Sequence, residues 1–428
     1  MKRTINVCLI SPPQINSLDD RIDPPLGLLY VAASIRDMGI EVRVADLASQ
    51  PYAQWEKLIG KADVYGIEIY TCNYPISKQI KKICKKLNPK SKIVAGGAHP
   101  TALPKQSLKD FDIVIKGEAD LSIKECLKDI IKGKPKAVYD FNIPQDLDKL
   151  PLPARDLVDI KNYHRIVGGK LATSIITSRG CPYKCAFCNS PMTFKKMRFR
   201  SNRSVVDEIK LIIKRYGIRN FIIYDDIFTL NRARLYPLLD EFKKLRIKFR
   251  CNGRADRNNY EDFVRLKESG CTTIAFGAES GSQDLLDRIN KKCTVRQNIK
   301  AIKDAKKAGL ITKVYLIVGI PGENKDTIQE TKRFMETADP DEYTLFTFIP
   351  LPGSDTWEHK KKYGIRRIVK VYSEFYNIAG QGEGGLVTET DSYDLEELME
   401  MREDLKGFLT KRRWRGDIQE YFKRIKWR

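Results

Sequence analysis

The chain has 428 residues, 42% apolar and 9% aromatic, with 20 Pro and 27 Gly; at roughly 100 to 200 residues per domain this means two or three domains and excludes a disordered, collagen-like or minimal scaffold. Lys and Arg number 77 against 55 Asp and Glu, a net charge of +22, which fits either anionic partners or a lysine-rich solvated surface. No apolar run nears the roughly 20 residues of a membrane span and residues 1–13 lack a signal-peptide core, so a cytoplasmic protein with reduced cysteines is expected.

Apolar β-rich runs at residues 6–10, 41–45, 64–70, 92–95 and 112–115 predict strands, with helices between them such as 27–38 and 77–87. This alternation builds a doubly wound parallel sheet that binds ligands beyond the carboxyl ends of its strands. Small polar or Gly-rich segments fall at those ends: Ser11-Pro12-Pro13, Tyr70-Thr71-Cys72-Asn73 and Gly96-Gly97-Ala98-His99-Pro100. Two prolines within 147–155 mark a linker. A second series follows, with strands at 172–178, 220–224, 248–251, 272–276, 313–318 and 342–348 and helices such as 204–216, 233–245 and 295–308. Periodicity alone leaves open a full barrel, a partial one or an open sheet. From Leu395 the tail reads as helical, and its last 18 residues hold eight Lys/Arg and two Asp/Glu interleaved with Trp414, Tyr421, Phe422 and Trp427.

Seven of the ten cysteines are scattered and read as small core residues, whereas Cys181, Cys185 and Cys188 share one loop after a strand and the turn Ser178-Arg179-Gly180. A mobile loop carrying three thiolates suits an iron–sulfur cluster in which one iron keeps no protein ligand and stays open to a small molecule. Structural zinc competes poorly, because it needs four closed ligands and His164 lies outside the loop.

The loop resembles the CxxxCxxC motif of the radical S-adenosylmethionine (SAM) enzymes, which follows the first strand of their barrel. The resemblance extends to Tyr224-Asp225-Asp226, where the family holds the methionine amino group; to Arg254, where relatives bind the SAM carboxylate; and to Glu279-Ser280, which resembles a ribose and methionine contact. Gly319 in Val318-Gly319-Ile320-Pro321-Gly322-Glu323 and Pro350 in Ile349-Pro350-Leu351-Pro352-Gly353 resemble adenine-side contacts. The chemistry is consistent: carboxylates suit an ammonium and ribose hydroxyls, Arg suits a carboxylate, and Gly admits a nucleoside to the backbone.

A doubly wound domain ahead of such a barrel, with Pro24-Pro25-Leu26-Gly27-Leu28-Leu29-Tyr30 and Gly96-Gly97-Ala98-His99-Pro100-Thr101, resembles the cobalamin-binding subfamily. The resemblance implies an α/β chain with a Rossmann-like cobalamin-binding sheet (1–145), a linker (146–170), a partial (β/α)6 radical SAM barrel (171–365) and a mostly helical extension (366–428). It implies cobalamin contacts at Pro13, Thr71, Asn73, Gly96, Gly97 and His99. The D-x-H-x-x-G motif that ligates cobalt elsewhere is absent from 1–150, so base-off cobalamin without a histidine ligand is expected, and His99 is given a loop role.

The implied activity is methylation of an unactivated carbon of a small-molecule, natural-product or lipid substrate, through a 5′-deoxyadenosyl radical and methylcobalamin. A cyclase, rearrangement or C–C coupling enzyme shares every motif named, and a tRNA methylthiotransferase-like role ranks below it for want of a second cysteine cluster. The resemblance further implies a flavodoxin- or ferredoxin-type electron donor. The basic aromatic tail fits a peripheral anionic-membrane contact or a solvated helix closing the barrel; no nucleic-acid module is recognisable.

Overall fold

The structure is a computed structural model describing residues 5–14, 16–17, 19–376 and 384–411. It divides into two compact units: Met1–Tyr163 with Asn189–Phe199, and His164–Cys188 with Arg200–Arg428.

In the first unit, β1 (Asn6–Ser11), β2 (Glu41–Asp46), β3 (Val64–Glu68), β4 (Lys92–Gly96), β5 (Ile113–Ile115) and β6 (Val138–Tyr139) form a parallel sheet in the order β2-β1-β3-β4-β5-β6. Near-continuous apolar runs such as NVCLI and KIVA suit strands covered on both faces. On one face the helices Leu26–Arg36 and Ala119–Ile131 bury Leu28, Ala32, Ile35, Ile123 and Leu127 against Val7, Leu9, Val94 and Ile113. The order reverses between β1 and β3, which puts a ligand crevice at their carboxyl ends.

In the second unit, β7 (Ile166–Val167), β8 (Lys170–Ile175), β9 (Asn220–Ile223), β10 (Lys248–Gly253), β11 (Cys271–Glu279), β12 (Ile311–Val318) and β13 (Glu342–Thr347) run in the order β13-β12-β11-β10-β9-β8-β7. The six from β8 to β13 are parallel and curl into a half-barrel; β7 is antiparallel to β8. Helices cover the convex face, where the Phe249 ring centroid lies 5.3 Å from that of Phe242 and 6.0 Å from that of Phe228. Asn259, Thr294 and Asn324 start three of these helices with capping boxes, satisfying amide donors that a helix leaves open.

Three boundaries differ from the sequence reading. The span 146–170 divides at Tyr163: Ala154 N donates to Leu29 O at 3.0 Å and Tyr163 Oη to Asp46 at 2.6 Å, which ties it to the first unit, while β7 opens the second. Asn189–Phe199, read as barrel, groups with the first unit, where Arg198 forms a buried ion pair with Glu118 and donates to Pro144 O at 2.6 Å. The extension opens as an antiparallel ribbon of Ile365–Ile368 and Thr388–Thr390 before the helix Leu395–Thr410. The basic aromatic run from Trp414 onward lies outside the described residues.

Candidate functional site

The cysteine loop leaves the carboxyl end of β8 and is tied down at several points rather than mobile. Between the cysteines, Ala186 is buried among Leu285, Leu286, Ile289, Ile320 and Phe348. Its amide donates to Ile289 O at 2.8 Å and its carbonyl accepts from Thr356 N at 3.0 Å, while Asn290 Nδ2 donates to Lys184 O at 2.7 Å. Cys181, Cys185 and Cys188 remain partly exposed at this anchored surface. Burial, then Asp226 and Cys185, raise the Cys181 thiol above its ordinary range against the Tyr183 amide and Arg254.

Two residues assigned to SAM are committed elsewhere. Asp225 is buried and accepts from Thr177 N (2.7 Å), Thr177 Oγ1 (2.5 Å), Ser178 N (3.1 Å) and Ser178 Oγ (2.6 Å). It fixes the turn leading into the cysteine loop and has no face left for a methionine amino group; Asp226, its neighbour, is exposed. Arg254 lies over the Tyr183 ring at 3.6 Å, pairs with Asp256 at 2.6 Å and donates to the carbonyls of Lys291 and Lys292. These contacts brace the Tyr183 turn of the cysteine loop.

The later strand ends are similarly built. Glu279 adopts a left-handed φ of 63° and pairs with Lys291 at 2.6 Å. Burial disfavours the Lys291 charge, but Glu279 and Cys185 outweigh it and raise the lysine. Ser280 is buried in its own turn, 3.2 Å from Thr331 Oγ1 and accepting from Ser282 N at 3.1 Å. The Gly319 amide donates to Glu323 and its carbonyl accepts from Tyr393 Oη, so its backbone is fully used. Burial pushes the Glu323 carboxyl up to about 8. Pro350 is buried just beyond β13.

In the first unit, Pro13, Thr71 and Asn73 are buried near the carboxyl ends of β1 and β3. Asn73 Oδ1 accepts from Tyr70 N at 2.8 Å. The His99 ring is fully buried, its centroid 4.2 Å from that of Tyr74 and its Nδ1 3.3 Å from Thr71 Oγ1, and burial lowers it to about 4. Gly97 holds a φ of 110°, with a Cβ there only 2.7 Å from Ile69 O, whereas a Cβ on Gly96 would meet nothing within 4 Å. Sequence reasoning missed Glu68 at the end of β3, half-buried and pushed up to about 7 by burial against the Tyr70 hydroxyl at 3.2 Å. An acid closing a buried strand is its one sequence signal. Tyr183, Asn290 and Lys291 were also missed, because loop spacing carries no trace of what props it.

Residues 175–335 match the radical SAM superfamily and residues 22–127 the B12 binding domain. Over 386 residues the chain is 31% identical to a protein of Pyrococcus horikoshii described as an uncharacterized methyltransferase, covering 83% of each. The chain belongs to the cobalamin-dependent radical SAM enzymes. The enzyme is also 26% identical over 367 residues to the anaerobic magnesium-protoporphyrin IX monomethyl ester cyclase of Rubrivivax gelatinosus, covering 78% of this chain and 66% of that one. Its fold matches the radical SAM methyltransferase TsrM of Kitasatospora setae, solved with cobalamin and a 4Fe-4S cluster bound, at a TM-score of 0.70 and 16% identity, covering 95% and 89% of the two chains.

The residues present fit these groups. Three anchored, partly exposed thiols on one loop suit an iron–sulfur cluster. The open space over Gly96 leaves room for a ligand at the carboxyl end of β4.

Proposed function

We propose that the enzyme methylates an unactivated carbon of a small-molecule, natural-product or lipid substrate. The observation that carries this reading is the anchored three-cysteine loop in a chain that also holds a B12 binding domain and matches a methyltransferase-described relative over 83% of its length. When bound, the cluster supplies the electron that converts SAM to a hydrogen-abstracting 5′-deoxyadenosyl radical, and the corrinoid supplies the methyl group.

The chain's own residues bind, orient and shield. Cys181, Cys185 and Cys188 hold the cluster and leave one iron open. Asp226, exposed beside Cys181, takes the SAM ammonium, and Glu279 with Lys291 faces its ribose hydroxyls and carboxylate. Gly319, Ser280 and Pro350 shape the remaining wall through turns whose polar groups are already satisfied. In the first unit Pro13, Thr71, Asn73, Gly96 and Gly97 receive the corrinoid tail. His99, held beside Thr71 and Tyr74, would orient that loop. A flavodoxin- or ferredoxin-type donor provides the electrons. Among the described residues no helix is long and apolar enough to cross a membrane.

A second reading, ring closure without methyl transfer, draws on the likeness to the magnesium-protoporphyrin monomethyl ester cyclase. The test is anaerobic turnover of the reconstituted, cobalamin-loaded enzyme with SAM and candidate substrates. Methyl transfer gives 5′-deoxyadenosine, S-adenosylhomocysteine and a product heavier by one methylene. 5′-Deoxyadenosine with neither of the other two refutes it, and a different mass change supports the second reading.

A further inference from the structure

The strands of the second unit separate two faces, since successive side chains alternate. On β10, Phe249 packs outward against Phe228 and Phe242, so Arg250 points to the concave face. Strand register carries that face across the sheet: Arg250 lies level with Thr273 and Ile222, Lys313 with Ala275 and Glu342, and Tyr315 with Gly277 and Thr344. Tyr315 and Phe346 form a ring pair there, 5.9 Å between centroids.

Three polar groups on this face lack partners. Arg250 is 9% exposed and forms no hydrogen bond or ion pair among the described residues. The hydroxyls of Thr273 and Thr344, in residues 1% and 0% exposed, also have none. Lys313, by contrast, faces Glu342 at 3.8 Å. A buried guanidinium without a counter-ion is strongly unfavourable and persists where a ligand completes it. The amino-terminal end of the half-barrel is closed beside it: Asn220 Nδ2 donates to Val167 O at 2.6 Å, and a Cβ on Gly168 would lie 3.2 Å from Thr272. Arg250 and Thr273 thus stand toward the closed end, with Tyr315 and Phe346 nearer the cysteine loop.

We infer that this face binds its substrate by an anionic group, a carboxylate or phosphate monoester held by Arg250 and the Thr273 hydroxyl, with a planar or unsaturated body against Tyr315 and Phe346. The inference rests on the proposed function, in which a substrate carbon is methylated, and adds that the substrate occupies the half-barrel. The same chemistry occurs in the carboxylate of SAM. Arg254, just past the end of β10, donates to the carbonyl of Lys291, the residue given to the SAM carboxylate, and Arg250 stands four residues earlier, roughly 13 Å deeper at about 3.3 Å per residue, which favours the substrate as the source.

The test uses cluster-reconstituted holoenzyme without oxygen, with benzoate and phenyl phosphate as anionic probes and benzyl alcohol as the neutral one. Melting temperature and SAM dissociation constant are measured for wild type, Arg250→Gln, Arg250→Lys and Thr273→Val. The anions raise the wild-type melting temperature and benzyl alcohol does not. Arg250→Gln weakens the benzoate response at least tenfold more than it weakens SAM, Arg250→Lys keeps part of the response, and ligand-free Arg250→Gln melts no lower than wild type because an uncompensated cation has gone. Equal responses to benzoate and benzyl alcohol overturn the inference, as does a ligand-free Arg250→Gln that melts several degrees lower. An Arg250→Gln that loses SAM and benzoate alike assigns the cation to the SAM carboxylate and also overturns it. Dithionite-driven SAM cleavage by wild type is followed in the same samples: its absence refutes the radical SAM part of the proposed function and leaves the probe result standing.

Discussion

Asp225 accepts four hydrogen bonds from the two residues that lead toward the cysteine loop, and an asparagine offers one accepting oxygen in place of two. Asp225→Asn therefore strands buried donors at about 1–3 kcal/mol each. It is expected to lower stability in chemical denaturation by about 2–4 kcal/mol and to cut the iron retained after anaerobic reconstitution. Exposed Asp226→Asn is expected to leave stability within about 0.5 kcal/mol and to weaken SAM. The pair was legible in the sequence as acids at a strand end, but which of them turns inward was not: β9 stops at Ile223, and the turn beyond it makes that choice.

Titration gives a second expectation. Glu323 at about 8 and Glu68 at about 7 lie above the ordinary carboxyl near 4.3. The folded chain thus binds more protons than the unfolded one between about pH 4.5 and 8, and their contribution falls as pH rises through that window. His99, lowered to about 4, works oppositely, adding stability as pH rises from about 4 to 6.5. Between about pH 6.5 and 8 the carboxyls dominate this set of groups, so their contribution declines with pH. Glu323→Gln is expected to flatten that decline and Glu68→Gln to remove the part that ends near 7, both measured by denaturation across pH.

At the scale of elements, the turn after β4 separates two glycines that look equivalent in the sequence. Gly97→Ala forces a side chain onto a φ of 110° and a Cβ to 2.7 Å from Ile69 O, so it is expected to cost at least about 2 kcal/mol. Gly96→Ala meets nothing within 4 Å; it is expected to fold normally and to lose cobalamin affinity, read by equilibrium dialysis. A normally folding Gly96→Ala with wild-type affinity removes Gly96 from the corrinoid site. Most strands were legible because β-branched apolar runs mark buried parallel strands. The two-residue strands β6 and β7 are too short to show a period, and the ribbon inside the predicted helical extension lies between turns that dominate its local composition.

For the whole molecule, the doubly wound sheet followed from the order of elements and the partial barrel from the family resemblance, but the partition of the chain followed from neither. Asn189–Phe199 follows the last cluster cysteine without a break, and the buried Arg198–Glu118 pair, the Arg198 bond to Pro144 O and Lys195 over the Phe141 ring tie it back to the first unit. Such long-range pairing leaves no local signal. Arg198→Met takes the guanidinium away from the buried Glu118 carboxylate and is expected to cost about 3–5 kcal/mol, and the double variant with Glu118→Gln to recover much of that. If both cost the same, the pair does not hold this segment.

The account rests on one chain carrying two independent cofactor sites, cobalamin on the first sheet and the cluster on the cysteine loop. The most direct test is the cobalt and iron content of enzyme reconstituted without oxygen in the presence of hydroxocobalamin, for wild type and Cys185→Ala. The account predicts about one cobalt and about four irons per wild-type chain, with a base-off spectrum, and a Cys185→Ala protein that loses iron and keeps cobalt. Wild type with full iron and no cobalt, or with cobalt bound through a histidine, would contradict it.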